Sequence, residues 1–293
     1  MNHLQLKQQI NLAKYSTWRI GGPAEWLAQP TSIKEIQNLL YWSKNNNIAC
    51  KVFGAGSNLL INDKGIEGLC ICMRKLKGNQ IDASTGIIEA SSGDSLPMLS
   101  QLAAQSGLHG LEWAIGIPGT IGGAIAMNAG AQSHCIAENI ISVKVISLEN
   151  GKKFELKQKD LNFSYRYSLL QEESLIVLSA KIRLQAGYDI GEIKGVTNKN
   201  LHHRTNTQPY DLPSCGSVFR NPEPLKAGKI IEDLGLKGFR LGGAEISKKH
   251  ANFIINYRNA SAEDINQLIL LVQRKVKAEL GISLQTEVKR LGF

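Results

Sequence analysis

Gly54-Ala55-Gly56-Ser57-Asn58-Leu59-Leu60-Ile61-Asn62-Asp63-Lys64-Gly65 is the stretch on which the fold turns. It opens with the Gly-x-Gly of a dinucleotide fingerprint and then departs from it. The third glycine position holds Leu59, and Leu60 to Gly65 reads as a strand and a turn. A Rossmann fingerprint needs a helix there, with its N-terminus facing the pyrophosphate. What remains is a glycine-rich loop entered from a short strand, Cys50 to Phe53. Its successive N–H groups form either an anion-binding nest or a tight turn between strands, and glycine tolerates both.

About 60 residues further on stands a longer run, Gly116-Ile117-Pro118-Gly119-Thr120-Ile121-Gly122-Gly123-Ala124, followed by Ala126, Asn128, Ala129 and Gly130. So many small residues admit either a large flat ligand or a second stretch of backbone. The two segments together suit a phosphate-bearing cofactor.

The composition is that of a globular protein: 293 residues, 43% hydrophobic and 20% charged, enough for two or three domains. No apolar run reaches the roughly 18 residues of a membrane span, and Met1 to Ile10 lacks the apolar core of a signal peptide. A cytoplasmic protein without membrane partners is expected. The net charge of +9 favours anionic partners. Its lysines and arginines are scattered, with no basic block or aromatic-basic stripe, so no nucleic-acid partner is expected. Five cysteines without a C-x-x-C read as reduced thiols, and the six histidines lack metal spacing. No metal site is expected. Cys70 and Cys72 face one side of a strand.

Thr31 or Ser32 can cap a helix through about Lys44, with Glu35 completing a capping box for Ser32 and Ile33, Ile36 and Leu40 on one face. A second helix follows Ser95, with Pro97 in its first turn and Leu96, Leu99, Leu102 and Ala103 inward. Ile140 to Leu148 and Leu175 to Leu184 read as strands, with a hairpin turn at Gly151-Lys152. Gly187, Gly191 and Gly195 mark a boundary, although Asp189 to Arg204 looks helical. Beyond it lie a strand, Ala251 to Tyr257, and a helix from Ser261 to Leu280, stopped by Gly281. Ile265, Leu268, Ile269, Val272 and Val276 supply the helix's apolar face. A strand follows, Leu284 to Leu291. Strand, helix, strand predicts a right-handed crossover joining two parallel strands.

Three further stretches bear reactive residues: Tyr165-Arg166-Tyr167-Ser168, Pro213 to Pro222 with Gly216-Ser217, and Leu284-Gln285-Thr286-Glu287-Val288. Taken one by one, each has a bland reading. Ser217 belongs to a Gly-Ser turn, Arg166 stacks between tyrosines, and Glu287 is a solvated strand-end carboxylate.

With Tyr15-Ser16-Thr17-Trp18-Arg19-Ile20-Gly21-Gly22-Pro23-Ala24, Leu236-Lys237-Gly238 and Gly242-Gly243-Ala244, these motifs resemble the UDP-N-acetylenolpyruvoylglucosamine reductase family. Their order and spacing carry the resemblance across nearly the whole chain. It implies an α+β protein: a two-part FAD-binding domain of the vanillyl-alcohol-oxidase/PCMH type and a C-terminal α+β substrate domain. Residues 1–184 then form the FAD domain, split near residue 70, and residues 185–293 the substrate domain. The resemblance implies that NADPH reduces non-covalently bound FAD, whose hydride passes to a UDP-sugar enolpyruvyl ether to give UDP-N-acetylmuramate for peptidoglycan. A monomer or weak oligomer is expected.

The cofactor positions carried over are Gly54, Ala55, Gly56, Ser57, Asn58 and Leu59, then Gly116, Ile117, Pro118, Gly119, Thr120, Gly122 and Gly123. The catalytic positions are Arg166, Ser217 and Glu287. Hydride addition to the β-carbon leaves electron density at the α-carbon and its carboxylate, which asks for a cation, Arg166. An acid must then protonate the α-carbon, and the resemblance implies Ser217, with Glu287 nearby. Asn221 and His250 match substrate-contacting positions, although a cap or turn role fits each equally.

The interval of 50 residues between Arg166 and Ser217 is too short for the lid loop of some family forms, so the shorter, lidless subtype is expected. Cys215, Arg220 and Lys289 depart from the commoner small apolar, Lys and Arg residues. Arg for Lys keeps the charge and alters the geometry. Two rival functions remain. A hydroxy-acid oxidase or dehydrogenase of the same superfamily has no carbanion to protonate, which Ser217 and Glu287 speak against. A non-catalytic nucleotide- or RNA-binding module would show no flavin absorption.

Overall fold

A computed structural model describes residues 5–293. The chain forms two compact units. The first combines the described residues up to Lys7 with Trp26–Ala55 and Gly68–Arg204, and the second combines Gln8–Glu25, Gly56–Glu67 and Thr205–Phe293.

In the first unit, helix α1 (Ile33–Asn45) begins at Ser32, whose hydroxyl accepts the Glu35 N–H at 3.2 Å. The expected box does not close on Ser32. The Glu35 carboxylate turns instead to Thr31, accepting its N–H and its hydroxyl, both at 2.9 Å. The Thr31 N–H above all holds Glu35 below the usual carboxylate range. α1 buries Ile36, Leu39, Leu40 and Ser43, while Ile33 lies at the edge of that stripe and stays 38% exposed.

Cys50–Phe53 runs parallel to the strand Ile66–Cys72, pairing Cys50 with Leu69 through to Phe53 with Cys72. Cys70 and Cys72 are both buried, and burial with the neighbouring Cys50 and Cys72 thiols pushes Cys70 up to about 12. Further along, five strands form an antiparallel sheet. Its order is Lys153–Lys157, Ile140–Ser147, Leu175–Arg183, Ile87–Ser91, Asn79–Asp82. The first two are joined as expected by a hairpin in which Gly151, at φ 70°, donates its N–H to Ser147. Side chains alternate across this sheet. Val143, Val145, Ala180 and Ile182 face one core, with α2 (Leu96–Gln105) and α3 (Ile121–Ala126). Ile146, Ile176 and Leu178 face another, with α1 and the strand Ile66–Cys72. α2 starts at Ser95 with proline in its first turn, and Leu96, Leu99 and Ala103 are buried while Leu102 is half-buried. α4 (Ile190–Thr207) then carries the chain into the second unit.

The second unit contains α5 (Ala227–Asp233), α6 (Ala262–Leu280) and a three-stranded antiparallel sheet, Arg240–Leu241, Ala244–Ile246, Ile254–Asn256. Val218, Phe219, Ile231, Ile246, Ile254 and the buried face of α6 share one core with Trp18 and Leu60. α6 starts in a capping box between Ser261 and Asp264 and ends at Gly281, at φ 71°.

The expected crossover is not formed. Ile254–Asn256 is flanked on one edge by Ala244–Ile246 and on the other by Ser214, which bridges to Ile255. With both edges taken, the final strand, shortened to Lys289–Leu291, pairs in parallel with Leu59–Ile61. This pairing gathers residues 56–67 to the C-terminal segment. Residues 8–25 follow because the buried Trp18 indole donates to the Ile254 carbonyl at 2.7 Å and Asn256 returns a bond to the Trp18 carbonyl at 3.0 Å. The compact units are thus interleaved in sequence and differ from a single division at 184/185. No one cut releases either unit whole. Among the described residues no helix is long and apolar enough to cross a membrane.

Asp63 lends α6 a cap from another part of the chain. Its carboxylate accepts the Ala262 N–H at 2.8 and 3.0 Å. Replacing Asp63 with Ala should cost about 1–2 kcal/mol, read as a lower urea midpoint at unchanged slope. An unchanged midpoint would show the Ser261 box to be sufficient.

Candidate active site

In the first unit the two glycine-rich segments meet. A Cβ built on Gly54 would fall 2.2 Å from the Thr120 hydroxyl. Thr120 is the N-cap of α3, accepting the Gly123 N–H at 3.4 Å. Backbone bonds stitch the second segment to the start of α2: Leu96 N–H to Gly119, Ile121 N–H to Asp94, Gly122 N–H to Ser92. A Cβ on Gly122 would fall 2.1 Å from the Ser92 hydroxyl. Gly54 and Gly122 are therefore demanded by packing. Gly123 differs: it is exposed, and a Cβ there would meet nothing closer than 3.4 Å. The protein itself does not require glycine at 123. The exposed backbone there leaves room for a flat ligand, and in this respect the segment fits FAD.

Arg166 occupies a tight turn in the same unit. Ser164 and Tyr167 exchange backbone bonds at 3.1 Å, and Arg166 takes φ 56°. The turn is anchored to the last residue of α3 and to the residues following it. Asn128 donates to the Ser164 carbonyl, Ser168 to the Ala126 carbonyl, and Gln171 to both Ala126 and Arg166 carbonyls. The guanidinium itself donates Nη2 to the Gly130 carbonyl at 3.0 Å and lies over the Tyr165 ring, 5.1 Å from its centroid.

Ser217 and Glu287 are brought together in the second unit. Glu287 N–H donates to the Val218 carbonyl at 2.8 Å, Phe219 bridges to Thr286, and Arg220 N–H donates to the Gln285 carbonyl at 2.9 Å. Buried Asn252 clamps this strand, its amide accepting from and donating to the backbone of Phe219. The end of the first glycine loop joins the same assembly. Asn58 donates its side-chain amide to the Glu287 carbonyl at 3.0 Å and accepts the Lys289 N–H at 3.0 Å. Gly56 takes φ 68° with the Tyr15 carbonyl 2.0 Å from where a Cβ would stand, so its glycine is structural. Cys215 is packed away and donates to the Ser57 carbonyl at 3.1 Å, and burial holds its thiol well above the ordinary range. Burial first, and the Arg220 charge second, lower the Lys289 ammonium. Arg220 and Lys289, two of the three departures from the family pattern, are thus electrostatic neighbours.

Ser217, Asn221 and His250 line one cavity of about 300 Å³. Lys226, Lys229, Lys237 and Lys249 ring it. Lys229 pairs with Asp233 at 2.6 Å, Lys237 with Glu232 at 2.7 Å, and Lys249 donates to the Thr205 carbonyl. Asn221 also has the capping role, accepting the Ala227 N–H at 3.0 Å. The lysines and the Asn252 clamp escaped the sequence reading. Lysine is common on any surface, and a single asparagine carries no mark of burial.

Residues 24–157 match the family model described as FAD binding domain, and residues 208–291 match that of the UDP-N-acetylenolpyruvoylglucosamine reductase C-terminal domain. With the fold above, this defines an FAD-binding α+β protein with a distinct C-terminal domain. The relatives narrow the class. The chain is 58% identical to a UDP-N-acetylenolpyruvoylglucosamine reductase of Prochlorococcus marinus (strain NATL2A) over 100% of both proteins. It is 60% identical to one from Synechococcus sp. (strain CC9605), over 97% of this chain and 95% of that one. The crystal structure of the reductase from Thermus caldophilus superposes with a TM-score of 0.83 at 32% identity, covering 99% of this chain and all of that one. The chain belongs to the UDP-N-acetylenolpyruvoylglucosamine reductase family.

His250 gives the cavity a pH signature. Its Nδ1 accepts the Asn252 N–H at 3.2 Å, which leaves the ring proton on Nε2. Burial above all, with the Lys237 ammonium adding, pushes His250 below its ordinary value. The folded state thus takes up the proton less readily than the unfolded state. Stability is unaffected above about pH 6.5 and falls on acidification below it. The difference in urea midpoint between wild type and His250→Gln should be constant above that pH and shift against wild type below it. A constant difference at every pH would refute the assignment.

Proposed function

We propose that this chain reduces UDP-N-acetylenolpyruvoylglucosamine to UDP-N-acetylmuramate with NADPH as reductant, as a cytoplasmic step of peptidoglycan precursor synthesis. It acts as a monomer or weak oligomer. FAD is held non-covalently by the Gly54–Leu59 and Gly116–Gly123 loops. The exposed, unobstructed Gly123 supports this, since glycine there serves a ligand rather than the fold. In this reading residues 1–184 supply most of the FAD domain and residues 185–293 the substrate domain, with 8–25 and 56–67 packed in the second unit.

FAD held there would supply two-electron hydride chemistry between NADPH and the β-carbon of the enolpyruvyl ether. Arg166 faces the resulting negative charge on the α-carbon and carboxylate, and its planar fork suits a carboxylate better than an ammonium does. Its anchor on the Gly130 carbonyl supports a fixed direction for the guanidinium. Ser217 gives its hydroxyl proton to the α-carbon. A serine is a weak acid, so it serves only against a strongly basic centre. Glu287, held beside the serine segment by its N–H bond to the Val218 carbonyl, orients that hydroxyl or the water that reprotonates it. The lysine-ringed cavity takes the anionic UDP-sugar, with Asn221 and neutral His250 as polar contacts.

The observation that carries this reading is the bond from Glu287 N–H to the Val218 carbonyl. It joins the serine and glutamate segments, 70 residues apart in sequence, next to a lysine-ringed cavity that Ser217 lines. Stopped-flow absorbance of the two half-reactions is the test. Ser217→Ala should remain yellow, be bleached by NADPH at a nearly normal rate, and lose roughly 10²–10⁴-fold in reoxidation by the enolpyruvyl substrate. Normal reoxidation would remove Ser217 as the proton donor.

A further inference from the structure

The lysines around the cavity of the second unit are not equivalent. Lys229 is paired with Asp233 and Lys237 with Glu232, so a carboxylate already answers each of those charges. Lys249 is held differently. Its Nζ donates at 2.6 Å to a neutral group, the Thr205 carbonyl in the last turn of α4.

The sequence explains why that carbonyl recruits a lysine. A helical carbonyl accepts the N–H four residues further on. Four residues beyond Thr205 stands Pro209, which has no N–H to give. The helix therefore leaves this carbonyl to be met from outside. An ammonium is favoured there, because carbonyls at a helix C-terminus carry partial negative charge. The bond restrains the tip of a long side chain that otherwise samples many rotamers. It engages one of the ammonium's three donors and brings no carboxylate with it. Lys249 stays exposed and lines the cavity beside His250, so a ligand entering there can reach it. The result is a cation whose place is set by the end of α4.

We propose that Lys249 is a specificity-determining residue of this cavity: anchored on the Thr205 carbonyl, its ammonium donates a second hydrogen bond to a diphosphate oxygen of the ligand. This rests on the reading of the cavity as the UDP-sugar site. Charge-assisted bonds to phosphate oxygens are stronger than neutral ones, and a side chain already restrained loses less freedom in making one. The UDP-sugar and NADPH both carry a diphosphate ester, and the two are separated by the test.

Glutamine at 249 separates the charge from the anchor, since its amide N–H can still donate to the Thr205 carbonyl. Lys249→Gln, Lys249→Arg and Lys237→Gln are compared with wild type as FAD-loaded enzymes. Three quantities are read: the melting midpoint, the dissociation constant for UDP by calorimetry, and KM and kcat for the UDP-sugar and for NADPH. Lys249→Gln should melt close to wild type yet bind UDP about tenfold more weakly, the worth of one hydrogen bond between charged groups. KM for at least one substrate should rise about tenfold while kcat changes less than twofold, and Lys249→Arg should recover most of the loss. A rise confined to the UDP-sugar supports the contact with the sugar nucleotide, and one confined to NADPH supports it with the reductant. Unchanged UDP affinity and unchanged KM for both would overturn the proposal. So would a loss that Lys249→Arg fails to recover and that follows a lowered melting midpoint, which would reduce Lys249 to a helix cap. If UDP affinity falls in Lys237→Gln but not in Lys249→Gln, the proposal falls and the reading of the cavity stands. If it falls in neither, the reading of the cavity falls as well.

Discussion

The parallel pairing of Leu59–Ile61 with Lys289–Leu291 is the constraint on which the second unit depends. Three short residue pairs form a weak ladder alone. Here the ladder is extended at its entrance by Asn58, which bonds to the backbone on both sides of Val288. It is closed at its exit by the Asn62 N–H on the Leu291 carbonyl, at 2.9 Å. Leu60 and Val288 are buried in the core that also holds Phe219 and the inner face of α6. A glycine loop, the Glu287 segment and the Ser217 segment are thereby fastened side by side. The chemistry proposed for Ser217 and Glu287 inherits its geometry from this ladder.

The same constraint explains why the glycines in the two loops are not equivalent. Gly56 must turn left-handed beneath the Tyr15 carbonyl so that the chain can enter the ladder. Gly54 and Gly122 give way to the Thr120 and Ser92 hydroxyls. At Gly123, by contrast, the protein leaves room for a side chain. A substitution series on these loops is therefore interpretable position by position, and loss of flavin at Gly56 would report on folding as much as on binding.

Much of this was legible in the sequence because it is local. α6 was readable from its Ser261–Asp264 box, its apolar stripe and Gly281, and the turn at Gly151 from the strand before it, while the strand after it, Lys153–Lys157, went unread. The failure of the Rossmann fingerprint at Leu59 correctly foretold a strand. What the sequence could not show was non-local. The partner of the last strand depends on Ser214 occupying the edge of Ile254–Asn256, some 40 residues away in the chain. The preference of Glu35 for Thr31 over Ser32 is a choice between adjacent donors. Interleaving of the two units follows from a single buried tryptophan and a three-residue strand. The roles of Ser217, Arg166 and Glu287 came from family resemblance, and local physics alone would have passed them over.

The central claim is that the Gly54–Asn58 loop and the Glu287 segment behave as one piece. Hydrogen–deuterium exchange of the apoprotein and the FAD-loaded protein tests it most directly. If the account holds, FAD slows exchange in residues 55–62 and in residues 286–291 together, because the Lys289 N–H is bonded to Asn58 and the ladder amides open with it. Protection of 55–62 with 286–291 unchanged would show that the loop moves independently of the glutamate strand, and would contradict the account.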